Sequence, residues 1–158
     1  MNKQTPKLDQ IKIIAINKKA KFDYQFIETF EAGIVLTGSE IKSLKNSEVN
    51  LKESYIKPDS GELFIIGMHI AEYSHSSSKD YNPTRMRKLL MHKSEIYKLQ
   101  GNVERKGLTI VPVQLYLKKG RAKLQIALAK GKAAPDKRRA IKDSELKKKA
   151  ERAIKYSK

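Results

Sequence analysis

The chain has 158 residues, 39% of them apolar and 32% charged, with 34 Lys and Arg against 17 Asp and Glu and a formal net charge of +17. That length suits one domain with a sizeable core and a tail, and the charge points to a polyanionic partner. The absence of cysteine excludes disulfide scaffolds and thiolate zinc sites, and no apolar run approaches the ~20 residues of a membrane-spanning helix. Met1 to Gln10 is polar, carries Pro6 and lacks the hydrophobic core of a secretion signal, so it is expected to fray and the chain to be cytoplasmic.

Ile11 to Ile16 reads as a short strand, and Asn17 as the cap of one helical turn that crowds Lys18, Lys19 and Lys21 on a small surface. Phe22 to Leu36, rich in aromatic and β-branched residues, reads as one long strand bulged near Gly33. Glu31 within it is an acid on a basic protein. It can pair with a neighbouring lysine, or accept hydrogen bonds from base amino and imino groups as a lysine cannot. Gly38 then permits a turn, and Ser39 is expected to cap a helix that turns Ile41 and Leu44 to a core and Lys42 and Lys45 to solvent or a polyanion.

Tyr55-Ile56-Lys57 and Leu63 to Ile66 flank a Pro/Asp/Ser/Gly turn and predict a hairpin, with Met68 to Ile70 continuing the sheet. Ser74 to Asn82 reads as a mobile loop closed by Pro83. Ser94 is expected to cap a helix from Glu95 to about Lys106, with Ile96, Leu99 and Val103 as its inner stripe and Gly107 as its stop. Val111, Val113, Leu115 and Leu117 alternate with Pro112, Gln114 and Tyr116. After Lys118-Lys119-Gly120-Arg121, the residues Leu124, Ile126 and Leu128 continue the alternation, with Lys123 facing away from the core. Pro112 requires an edge position or a bulge.

The expected fold is mainly β: an antiparallel, partly closed, oligonucleotide-binding-like barrel with flanking helices and a basic C-terminal tail. The barrel domain would occupy 1–129 and the tail 130–158. The tail holds 12 Lys and Arg against 4 acids, too little apolar residue to bury. It is expected to be disordered when free, with Leu146, Ala150, Ala153 and Ile154 forming a helical stripe on ribosomal RNA. His69, His75 and His92 have no metal-ligand spacing, and no catalytic fingerprint occurs, so neither metal, cofactor nor enzyme is expected.

Several blocks resemble one family: Asn17 to Ala20, Phe30 to Leu44, Leu51 to Tyr55, Arg87 to His92, Ala127 to Lys132, and Asp136-Lys137-Arg138. In order over nearly the whole chain they are similar to bacterial small protein B (SmpB), the SsrA-binding protein family. The resemblance implies a role in trans-translation, with an oligonucleotide-binding-type fold. Family members bind the tRNA-like domain of transfer-messenger RNA, help deliver it with elongation factor Tu and GTP to stalled ribosomes, and occupy the decoding site of the small-subunit RNA. A monomer is expected. Carried across matched motifs, the RNA contacts fall on Asn17, Lys18, Lys19, Glu31, Leu90, His92 and Lys123, and the ribosome-facing junction and tail on Lys130, Gly131, Lys132, Asp136, Lys137 and Arg138. Pro135 is a departure: many relatives carry there an aromatic or imidazole ring able to stack on a decoding-centre base. The rival readings are a structural ribosomal protein, marked by stoichiometric association with ribosomes lacking transfer-messenger RNA, and an RNA-processing enzyme, marked by turnover.

Overall fold

Alternating apolar residues make the strands here, and glycine or capping residues end them. The computed structural model describes residues 10–74 and 80–156. The strands are β1 (Ile11–Ile16), β2 (Tyr24–Ile34), β3 (Val49–Asn50), β4 (Tyr55–Asp59), β5 (Glu62–Ile66), β6 (His69–Ile70), β7 (Arg87–Leu90), β8 (Thr109–Lys118) and β9 (Arg121–Gly131). The helices are α1 (Lys18–Asp23), α2 (Gly38–Lys45), α3 (Lys93–Lys106) and α4 (Ala134–Tyr156). Seven strands form one antiparallel sheet in the order β1-β8-β9-β2-β7-β5-β4. Its outermost strands, β1 and β4, share no ladder among the described residues, so the sheet is not a closed barrel, although it curls far enough for β4 to approach β8. Pro58 in β4 has no N–H to offer a further strand, which suits an edge.

Several expectations shift. The long strand starts at Tyr24, because Asn17 caps a helix reaching Asp23, and its bulge lies between Phe26 and Glu28 instead of near Gly33. Thr37, not Ser39, caps α2: its hydroxyl accepts the Glu40 N–H while the Glu40 carboxylate accepts the Thr37 N–H, a reciprocal capping box. His92, not Ser94, precedes α3, which ends as expected at left-handed Gly107. β6 leaves the main sheet and pairs with β3. The loop expectation for 74–82 lies partly outside the described residues, as do His75 and most of Met1 to Gln10.

Bulges decide which side chains meet. In β8 the register slips between Pro112 and Gln114, so the bulge alternative holds for Pro112 in this interior strand. One extra residue inverts the inward parity. Ile110, Leu115 and Leu117 therefore enter the main core with Leu63, Ile65, Leu89, Leu124 and Ile126, while Val111 and Val113 turn to the other face. Leu44 of α2 and Ile96 and Leu99 of α3 seal the main core. On the opposite face α1 covers only one end, where Ala20 packs with Val111, Val113, Ala127 and Ala129. The rest of that face is left to polar and half-buried side chains.

The residue pattern missed one buried device. Glu40 and Arg87 are both fully buried. The Glu40 carboxylate takes hydrogen bonds from Arg85 (Nε at 3.2 Å and a second, shorter one) and lies 2.5 Å from the Arg87 guanidinium. Arg87 also donates to the carbonyls of Met68 at 2.8 Å, Pro83 at 3.0 Å and Arg85 at 3.2 Å. The start of α2 is thereby clamped to the chain entering β7. Burial pushes the Glu40 carboxyl up, but the bonds from Arg85, Thr37 and Arg87 outweigh it and hold it below its ordinary value.

Candidate nucleic-acid interface

Register brings the bare part of the outer face together. Ile13 stands opposite Tyr116, Tyr116 opposite Lys123, Lys123 opposite Gly33, and Gly33 opposite Leu90. Directly opposed residues share a face, so these five form a row across five strands. Glu31, two residues before Gly33, opens the neighbouring row opposite Gln125. Leu90 is 53% exposed and Ile13 51% exposed, apolar side chains standing among cations. A Cβ on Gly33 would lie 3.2 Å from the Leu90 Cβ, so glycine lets Leu90 and Lys123 flank bare backbone.

Glu31 is not an isolated acid. The Tyr116 hydroxyl donates a short hydrogen bond to its Oε2, and Lys118 Nζ lies 3.4 Å from the same oxygen. The Tyr116 bond is the largest influence on its carboxyl, which stays below the usual carboxylate range despite partial burial, with Lys118 and Lys123 adding to the depression. Burial and the same carboxylate push the Tyr116 phenol up. Glu31 is therefore an ionised acceptor at neutral pH, oriented by two donors and with lone pairs to spare. Tyr116 and Lys118 are parts of this site that the motif comparison missed. The alternation opposite the core leucines was the signal that Tyr116 stands on the outer side of the sheet, where its ring is itself buried.

A second cationic group gathers around α1. Asn17 is 4% exposed and both ends of its amide are engaged: Oδ1 accepts the Ala20 N–H at 3.1 Å and Nδ2 donates to the Pro112 carbonyl at 3.0 Å. It thus sets Lys18 and Lys19 outward from β8, and Lys19 makes an exposed pair with Glu53 at 3.6 Å. The end of β9 comes to the same place. Gly131 pairs with Tyr24 and Lys130 with Gln25; the Lys132 N–H donates to the Asp23 carbonyl at 2.8 Å, and Lys137 lies 3.4 Å from Asp23 Oδ1. Arg138 is exposed in α4, whereas the side chains of Asp136 and Pro135 lie outside the described residues. His92 is exposed two residues past Leu90, and its side chain makes no capping bond.

The structure thus joins Glu31, Lys123 and Leu90 on one face and Lys18, Lys19, Lys130, Lys132 and Lys137 around α1. Among the described residues no three His, Cys, Asp or Glu side chains cluster as metal ligands, and no helix is long and apolar enough to cross a membrane.

An open antiparallel sheet with an exposed face of cations, one oriented carboxylate and apolar contacts defines a nucleic-acid-binding class of protein. The family model described as SmpB protein matches residues 14–156. This chain belongs to the SmpB family. It is 54% identical over 137 residues to the SsrA-binding protein of Persephonella marina, covering 87% of this chain and 90% of that one. It is 50% identical over 144 residues to the SsrA-binding protein of a Sulfurihydrogenibium species, covering 91% and 95%. Among solved structures it is similar to a chain of "tmRNA-SmpB: a journey to the center of the bacterial ribosome", with a TM-score of 0.65 and 42% identity over 80% of this chain and 93% of that chain.

Proposed function

We propose that this protein binds the tRNA-like domain of transfer-messenger RNA and brings it to stalled ribosomes for trans-translation. One observation carries the reading. Glu31, Leu90 and Lys123, chosen by family motifs far apart in sequence, adjoin on one exposed sheet face beside Tyr116. Such a surface binds phosphates with its lysines, packs sugars or bases against Leu90, and reads base donors with Glu31. The open sheet would serve as an oligonucleotide-binding-like platform. The protein acts by binding, not by turnover, in the cytoplasm, as a monomer, and meets elongation factor Tu with GTP through the RNA. RNA co-purified with the protein from cells, when sequenced, should be dominated by transfer-messenger RNA. A profile matching bulk tRNA or ribosomal RNA would overturn the assignment.

The tail is the second half of the proposal. Ile141 and Leu146 of α4 are exposed among its lysines, so little of that helix is spent on the sheet. Residues 130–158 are assigned to the decoding site and empty messenger channel, with the strand-paired Lys130 and Gly131 as the junction and α4 as the part that enters. Removing 133–158, which leaves β9 whole, is expected to keep affinity for the tRNA-like domain within about twofold, since exposed tail charges add mainly screened, long-range attraction. Tagging of stalled chains on ribosomes should vanish. Normal tagging by the shortened protein would end this division of labour.

A further inference from the structure

The face of α3 turned away from the core holds a groove that the outer-face site does not use. Ile96 and Leu99 pin this helix to the main core, the side of the sheet opposite Tyr116 and Lys123. Its solvent side carries a cavity of about 340 Å³ lined by Tyr97, Lys98, Gly101, Asn102, Arg105 and Lys106. The lining falls into two rows of four-residue spacing, Tyr97-Gly101-Arg105 and Lys98-Asn102-Lys106, each about 12 Å long at the helical rise.

Each lining group has capacity to bind. Tyr97 is 62% exposed, an unusual placement for a large ring on a surface helix, with its hydroxyl lying toward the Gly61 turn. Arg105 and Lys106 have no ion-pair partner among the described residues. Lys98 pairs with Glu28 at 3.0 Å, but both are about half exposed, so the pair is weak and exchangeable. Asn102 turns its Nδ2 back to the Lys98 carbonyl at 2.9 Å, which leaves its amide oxygen outward as an acceptor. Gly101 is the telling residue. Mid-helix glycine weakens a helix, and here no turn, left-handed φ or packed neighbour requires it: a Cβ there would meet nothing within 4 Å. Its effect is a bare strip of backbone between a ring and two cations.

We propose that this groove is a further RNA-binding site, which takes unpaired nucleotides with a base stacked on Tyr97 over Gly101 and the flanking phosphates on Arg105 and Lys106. The cavity lies within the range of small-ligand pockets, about 300–1,000 Å³, so it admits one or two nucleotides and not a duplex. Aromatic stacking beside a cationic track is the usual way single strands are held without strict sequence readout. Because α3 and the outer face lie on opposite sides of the sheet, both can be occupied at once.

The test uses the full-length protein saturated with a tRNA-like-domain transcript and a fluorescein-labelled single-stranded RNA 12-mer as probe. The saturated complex should bind the 12-mer. Tyr97→Ala should weaken that binding about tenfold, in line with the loss of one stacked base. Arg105→Glu with Lys106→Glu should reduce the salt dependence by about two counterions. Gly101→Leu should raise the thermal midpoint, as a better helix former, and yet weaken the 12-mer about as much as Tyr97→Ala. That opposition is not produced by a purely structural role. Binding unchanged in all three variants, or equal displacement by polyglutamate, would overturn this further site. The affinity for the tRNA-like transcript, read in the same samples, should not move; its absence in the parent protein would instead refute the proposed function and leave the groove to be judged by the 12-mer alone.

Discussion

Glu31→Ala should lower affinity for the tRNA-like domain of transfer-messenger RNA by roughly 10- to 100-fold, while affinity for an unrelated RNA duplex holds or rises. The first figure follows from losing one hydrogen bond to a charged acceptor, about 1.5–3 kcal/mol. The second follows from charge: removing a carboxylate beside Lys118 and Lys123 makes the face more positive and strengthens attraction to any polyanion. Opposite signs for the two RNAs separate base recognition from electrostatics. Filter binding or fluorescence anisotropy at one fixed salt concentration reads both. Equal losses for both RNAs would mean that Glu31 only orders Tyr116 and Lys118 and recognises nothing. Tyr116→Phe keeps the ring but drops the donor to Glu31, so it should cost less than Glu31→Ala and in the same direction.

The largest effect on stability belongs to Glu40 and Arg87. Glu40→Ala leaves the buried Arg87 without its carboxylate and is expected to cost about 3–5 kcal/mol in urea denaturation, whereas Arg87→Ala leaves Glu40 its pair with Arg85 and should cost less. Arg87→Met with Glu40→Met should recover only part of this. Arg87 also satisfies the carbonyls of Met68, Pro83 and Arg85, which methionine cannot do. The sign with pH is fixed by the lowered Glu40 carboxyl. Its contribution is fully present above the ordinary value of 4.5 and is lost as pH falls through the lower folded value. The parent protein should therefore lose stability on acidification more steeply than Glu40→Gln. Parallel acid limbs would show that the clamp carries no proton-linked stability. An RNA-binding defect in these variants would be secondary, because the clamp orients β7 and with it Leu90 and His92.

These two sites were unequally visible in the residue pattern. Glu31 stood out as an acid among cations, and family motifs pointed to Leu90 and Lys123, but nothing local in the sequence shows that Tyr116, 85 positions from Glu31, donates to its carboxylate. Glu40 looked like an ordinary first-turn acid of a helix. Its burial depends on Arg87 arriving from β7, 47 positions away.

What the sequence determined by itself was local: where strands alternate, that the Asp59 to Glu62 turn closes a hairpin, that Asn17 caps a turn and Gly107 stops a helix, and that a +17 chain seeks a polyanion. These follow from periodicity, capping chemistry and net charge, which act over a few residues or over the whole chain. Only the tertiary structure decided the rest. The bulges in β2 and β8 turn Val111 and Val113 to the α1 side and Leu115 and Leu117 to the main core, and the registers of β7 and β9 on β2 set Leu90 and Lys123 beside Gly33. The reason is that a strand's side chains have a period of two residues, so a single inserted residue exchanges its faces, and register is fixed by pairing between segments that have no local knowledge of each other.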